Sequence, residues 1–182
     1  MNLPNQIETK RLILRLFNQD DFEVFSNIIE DDVISNNLKF VLKIKPEKNK
    51  TSFFRSIIDS YSSKHPIIAL IVSTKQEGNN IGFCGLIPLE NGSEAETFYT
   101  VFPKYRGYGY AIETMKKLIE FAFKGLNLTR IITFLHPTNT KAWKVAERIG
   151  MKYLGHKQIN DISSKAMYFS LEKTEFEAQS DY

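Results

Sequence analysis

The sequence predicts a mixed α/β fold, a mostly antiparallel central sheet of about seven strands flanked by about four helices. Three observations predict it. Three apolar segments of strand length follow one another between residues 66 and 102 with only short turns between them, the pattern of antiparallel hairpins. From residue 108 the apolar period changes from two to between three and four, the mark of an amphipathic helix. A further strand, a short helix and two more strands then complete the chain. The 182 residues fit one domain over residues 1–182, with ends at 1–8 and 174–182 expected to fray, and are enough to bury a sizeable core.

Each element has a local reason. In Arg11-Leu-Ile-Leu-Arg-Leu-Phe17, Leu12, Leu14 and Leu16 alternate with their neighbours, as a strand with one buried face requires. Asn18-Gln-Asp-Asp21 follows as a helix start, because short polar side chains accept hydrogen bonds from the first free N–H groups; Phe22, Phe25, Ile28 and Ile29 then recur at helical spacing. Residues 30–50 are polar and basic and carry no clear pattern. A second helix is expected from about Glu47 to Ser60, on Phe53, Phe54, Ile57 and Ile58. Pro66–Val72 is a continuous apolar run suited to a central strand. Turns at Gly78–Asn80 and Glu90–Ser93 separate it from strands at Ile81–Leu89 and Ala95–Phe102. Tyr108, Ala111, Ile112, Met115, Ile119, Ala122 and Phe123 mark the amphipathic helix, with Gly125 as its expected cap. Arg130–Leu135 is a strand. Ala142, Val145, Ala146 and Ile149 mark a helix stopped by Gly150, and strands at Lys152–Lys157 and Ala166–Glu172 flank the polar segment 160–164.

Composition excludes several classes of function. The single Cys84 and the three dispersed histidines, His65, His136 and His156, leave no disulfide framework and no zinc-finger spacing, so no metal is expected. A net charge of +3 is too small to argue for nucleic acid, and Lys39–Lys50 contains five lysines but one aromatic, which reads as a solvated loop or a substrate-docking flap. No apolar run approaches the ~20 residues that span a bilayer, and Met1–Lys10 lacks the apolar core of a signal peptide. The expected compartment is the cytoplasm, with no membrane partner.

The most informative stretch is Phe102-Pro-Lys-Tyr-Arg-Gly-Tyr-Gly-Tyr-Ala111, where a strand ends and a helix begins around Gly107 and Gly109. Glycines let the backbone turn sharply, and the first N–H groups of the helix have no internal acceptors and sit at the positive end of its dipole. Such a turn binds phosphate or pyrophosphate, or serves only as helix-capping geometry. A P-loop would continue Gly-Lys-Ser/Thr, where this chain has Tyr110-Ala111; a dinucleotide fingerprint would place a third glycine at Ile112. Both ATP and NAD are therefore disfavoured.

Lys104-Tyr-Arg-Gly107-Tyr-Gly109 resembles the Gln/Arg-x-x-Gly-x-Gly/Ala turn of the GNAT N-acetyltransferases, with Lys at its first position. Thr9-Lys-Arg-Leu-Ile-Leu-Arg15 resembles the opening strand of the branch containing the Rim-type ribosomal-protein N-terminal acetyltransferases. Asn139–Met151 resembles its Asn-x-x-Ser…Gly-Phe segment, with Ala142 and Met151 in place of Ser and Phe. The resemblance covers about Glu8 to Glu172 and is weakest over residues 30–65. It implies the GNAT fold, acetyl-CoA as cosubstrate, and transfer of acetyl to a primary amine, either a protein N-terminus or a small molecule, by direct attack in a ternary complex.

The resemblance also implies site residues. Main-chain groups of Thr100, Val101 and Phe102 would bind the pantetheine arm; Lys104, Tyr105, Arg106, Gly107, Tyr108, Gly109, Tyr110 and Ala111 would form the pyrophosphate turn; Asn139 would contact the arm or cap its helix. Glu96 is the candidate general base, against the alternative of an exposed strand carboxylate, and strand alternation puts Tyr99 on the opposite face. The tyrosine that often serves the family as acid is replaced by Ala146, leaving Tyr108, Tyr110 and Tyr153 unranked. The alternative reading is a non-catalytic acyl-CoA-binding or regulatory module on the same fold. Cys84 reads as a buried inert thiol, Trp143 as packing, Lys144 as surface, and Arg11 and Arg15 as strand-face ion partners. A homodimer through an exposed sheet edge is compatible with the pattern.

Overall fold

The computed structural model describes residues 3–30, 50–159 and 165–180. The basic stretch expected over residues 39–50, apart from Lys50, and the polar segment 160–164 lie outside the described residues.

Eight strands form one sheet: β1 (Gln6–Glu8), β2 (Leu12–Leu16), β3 (Ile68–Thr74), β4 (Asn80–Pro88), β5 (Glu94–Val101), β6 (Arg130–Leu135), β7 (Lys152–Gln158) and β8 (Lys165–Glu172). Their spatial order is β1-β2-β3-β4-β5-β6-β8-β7, and all neighbours are antiparallel except β5 and β6. Among the described residues the helices are α1 (Phe22–Glu30), α2 (Lys50–Ser60), α3 (Tyr110–Glu120), α4 (Thr140–Arg148) and α5 (Lys173–Ser180).

The alternation read from the sequence divides the core in two. Leu12, Leu14, Leu70, Val72, Cys84 and Leu86 face α3 and α4, together with Met115, Leu118, Phe123 and Ala146. The opposite face carries Ala69, Ile71, Phe83 and Phe98 against Phe25, Phe53, Phe54 and Ile57 of α1 and α2. That second core is largely aromatic. Phe17 meets Phe25 and Phe54 edge-on at 6.2 and 6.0 Å between ring centres, a favoured aromatic geometry. The start of α1 follows the expected polar signal. The Asn18 side chain accepts from the Asp20 N–H at 2.9 Å, and Asp21 accepts from the Asn18 N–H at 2.8 Å. Asp21 also holds both terminal nitrogens of Arg15, at 2.7 and 2.8 Å.

The structure adds elements near the two ends and corrects one local expectation. Near the two ends, Gln6–Glu8 pairs with β2, because main-chain hydrogen bonding needs no apolar side chain, and Lys173–Ser180 is helical with Phe176 against Phe123 at 5.3 Å. Gly125 is not a left-handed cap. It closes a π turn over Phe121–Gly125, where an added Cβ would lie 2.7 Å from the Phe121 ring, and the left-handed residue is Asn127 at φ 54°. Among the described residues the eight strands and five helices agree with the expected mostly antiparallel sheet of about seven strands flanked by about four helices. Gly150, by contrast, stops α4 as expected at φ 90°, with its N–H on the Glu147 carbonyl at 3.0 Å.

Candidate active site

The site is built by the one parallel pair in the sheet. β5 and β6 pair only from Glu94↔Arg130 to Glu96↔Ile132; beyond that, the Thr133 hydroxyl donates to the Thr97 carbonyl at 3.0 Å and the strands part. β5 continues along β4 to Val101↔Gly82, while β6 continues along β8 to Leu135↔Met167. The main chain on the β6 side of Phe98–Val101 thus has no strand to pair with, and backbone groups in that state need another partner or solvent. A cavity of about 610 Å³ fills the wedge, within the usual range for a small-molecule site.

The glycine turn closes one end of this cavity. Pro103–Tyr105 makes a single tight turn, Arg106 Nε donates to the Val101 carbonyl at 2.8 Å, and Gly107 and Gly109 adopt φ 89° and 78°. The N–H groups of Gly107 and Gly109 have no acceptor among the described residues, and the first N–H groups of α3 have none within the helix. Arg106 from the turn and Lys141, Lys144 and Arg148 from α4 line the same cavity, and no Asp or Glu does among the described residues. Unpaired N–H groups, four cations and apolar walls suit an elongated ligand with phosphates at one end and an apolar arm along β5.

Of the residues expected to hold the cofactor, Thr100, Val101, Tyr105, Arg106, Gly107, Gly109, Tyr110, Ala111 and Asn139 line the cavity together. Three do not. Phe102 packs with the aromatic core, Lys104 lies 5.4 Å over the Tyr105 ring, and Tyr108 is 64% exposed and stacks on Tyr110. Asn139 combines its two readings, since its side chain accepts from the Ala142 N–H at 3.2 Å while it faces the cavity. Glu96 is not an exposed strand carboxylate. It is 4% exposed at the last paired position before the strands part, two residues from the cavity-lining Phe98 and outside the lining itself.

Tyr99 points to the other face, as alternation required, and lines the cavity. Burial pushes its phenol well up, against a smaller opposing effect of the Arg106 charge, so it keeps its proton at neutral pH. Ala146 is buried in the core and offers no hydroxyl, and Tyr153 lies on β7, its hydroxyl 2.7 Å from His156 Nδ1 and outside the cavity lining. Cys84 is fully buried, which pushes its thiol up and leaves it inert.

The sequence reading assigned Lys144 to the surface and did not consider Lys141 or Arg148 for the site, yet all three face the cavity. The signal was present: positions 141, 144 and 148 fall at steps of three and four on one helical face. His136 and Leu135 also line the cavity, with the Thr138 N–H donating to His136 Nδ1 at 3.3 Å.

A family model described as the acetyltransferase (GNAT) domain matches residues 11–152. The chain belongs to the GNAT acetyltransferase family. Its relatives include YnaD of Bacillus subtilis (strain 168), an uncharacterized N-acetyltransferase that is 28% identical over 150 residues, 82% of this chain and 84% of YnaD. Solved structures that share the fold include two further acetyltransferases. Ribosomal-protein-S5-alanine acetyltransferase of Vibrio fischeri has a TM-score of 0.72 at 19% identity, covering 92% of this chain and 96% of its own. Spermidine N-acetyltransferase of Vibrio cholerae, in complex with CoA and spermine, has a TM-score of 0.75 at 20% identity, covering 92% and 99%. The protein is therefore an acetyltransferase of the GNAT fold, and among its described residues no helix is long and apolar enough to cross a membrane and no cluster suits a metal.

Proposed function

We propose that this GNAT protein binds acetyl-CoA in the β5–β6 wedge and transfers its acetyl group to a primary amine, a protein N-terminus or a small molecule, in a ternary complex. The observation that carries the reading is the joining, in one cavity, of the stretch Phe98–Val101, which has no strand partner on its β6 side, with the glycine turn and the cationic face of α4. The phosphates would sit on the N–H groups of residues 107–112 and near Arg106, Lys141, Lys144 and Arg148. The arm would run along Thr100 and Val101 past Asn139. Acetyl-CoA supplies an activated thioester, whose C–S bond breaks as the new C–N bond forms.

The chain's own residues have two tasks at the reacting end. An ammonium has no lone pair, so a base must hold the amine's proton; Glu96 stands nearest the parting point of the strands and would act through water or after a small opening. A protein N-terminal amine, with a pKa near ~8, eases that task relative to lysine near ~10.4. With Ala146 unable to protonate the thiolate, the phenols that line the cavity are Tyr99, Tyr105 and Tyr110.

Amine-dependent release of CoA tests the reading. Screening N-terminal peptides and small amines should find acceptors that release CoA, and Glu96→Gln should then lower kcat by about 100-fold or more while the acetyl-CoA Kd holds. The missing hydroxyl at Ala146 favours one alternative, a binding module without turnover. Acetyl-CoA binding with no CoA release for any amine would establish that alternative in place of the enzyme.

A further inference from the structure

The corner between β1 and β2 reaches across the sheet face to the glycine turn. The Arg11 N–H donates to Glu113 Oε1 at 2.9 Å, and its Nε donates to Glu113 Oε2 at 2.6 Å. The Thr9 hydroxyl donates to Glu113 Oε1 at 2.6 Å. Burial alone would push the Glu113 carboxyl up. The Thr9 hydroxyl, the Arg11 N–H donors and the Arg11 charge outweigh it and hold the group below the usual carboxylate range, so Glu113 stays an anion. Arg11 does not stop there. Its Nη1 donates to the carbonyl of Tyr108 at 3.0 Å, and its guanidinium lies 4.6 Å over the Tyr110 ring.

That last hydrogen bond bears on ligand geometry. The peptide joining Tyr108 to Gly109 is planar and trans, so its C=O and its N–H point in opposite directions. With the carbonyl drawn to Arg11, the Gly109 N–H is turned away from Arg11. Gly109 lines the cavity and Arg11 does not. The Gly107-Tyr108-Gly109 stretch is lightly restrained: both glycines lack a Cβ, and neither glycine N–H has an acceptor among the described residues. A peptide there is easily flipped, and flipping it would present a carbonyl to an anion.

We propose that Arg11 is a positioning residue for the glycine turn: by holding the Tyr108 carbonyl, it aims the Gly109 N–H at a bound phosphate. Its own charge is paired with Glu113, so it acts through the turn rather than as a phosphate ligand. The inference rests on the reading of this cavity as the acetyl-CoA site. It differs from the sequence expectation, in which Arg11 was only a strand-face ion partner.

The test is titration of wild type, Arg11→Met and Arg11→Lys with acetyl-CoA and with S-acetylpantetheine, which lacks the pyrophosphate, with melting temperatures taken in parallel. Lysine keeps a cation beside Glu113, but its single head group cannot also hold the Tyr108 carbonyl in the guanidinium's geometry. Both variants should therefore bind acetyl-CoA about tenfold more weakly, the loss that follows from misdirecting one charge-assisted donor. Affinity for S-acetylpantetheine should not change. If Arg11→Met does not fold, Arg11→Lys carries the test. Unchanged acetyl-CoA affinity in a folded variant, or equal losses for both ligands, would reduce Arg11 to a brace between β2 and α3. Wild type that binds no acetyl-CoA overturns the proposed function, and this inference with it.

Discussion

Gly109 sits at φ 78°, a left-handed conformation that an L side chain adopts at a cost of about 1 kcal/mol or more. An added Cβ would meet nothing closer than Arg11 Nη2 at 3.7 Å, so the cost of Gly109→Ala comes from the backbone and not from a clash. Gly78 has a similar φ of 69°, also with open space around it, but lies in the β3–β4 turn. The two substitutions should lower the urea midpoint alike, while only Gly109→Ala weakens acetyl-CoA binding. Gly109→Glu, which adds an anion to the same spot, should abolish binding in a protein that still folds. Equal affinity in all four proteins would mean that the turn only caps α3.

Helix α4 performs two functions with two faces. Ala142, Ala146 and Ile149 enter the core, while Lys141, Lys144 and Arg148 reach the cavity. The expected reading of the cationic face is electrostatic. Changing Lys144 and Arg148 to Ala should weaken acetyl-CoA binding by about tenfold per lost phosphate contact and flatten the dependence of Kd on salt. S-acetylpantetheine, without phosphates, should not respond. A loss that is the same at low and high salt would point instead to displacement of the helix.

At the scale of the whole molecule, α1 is pinned to the sheet by a carboxylate. Burial would raise Asp21, but the Arg15 hydrogen bonds, the Asn18 N–H and the Arg15 charge hold it below the usual range. A carboxyl depressed in the folded state binds fewer protons there than when unfolded. The stability it contributes is therefore present above the unfolded value, about 3.9, and is lost as pH falls through the folded one. Asp21→Asn should cost about 2 kcal/mol at pH 7, read from urea midpoints, and much less near pH 3. A penalty independent of pH would show that packing, not ionisation, sets the contribution of this residue.

The strands from residue 68 onward, α3 and α4 were legible in the sequence because each buries one face, and burial writes a period into the chain. The glycine turn was legible because positive φ selects glycine, and nine of the twelve residues that the resemblance to GNAT proteins implied for the cofactor line the cavity. Three features lay beyond local pattern. β1 and α5 are polar and are held by long-range pairing and by the contact of Phe176 with Phe123. Lys144 read as surface because a lysine on a polar helical face looks the same whether that face meets solvent or a cleft. Arg11 read as an ordinary ion partner because its acceptor, the Tyr108 carbonyl, is 97 residues away and carries no side-chain signature. Sequence by itself thus determined the elements that bury an apolar face, the glycine turn as a backbone feature, and the family. Only the tertiary structure decided where β5 and β6 part, which cations face the wedge, and which arginine holds the turn, since these depend on main-chain contacts between segments that no local period records.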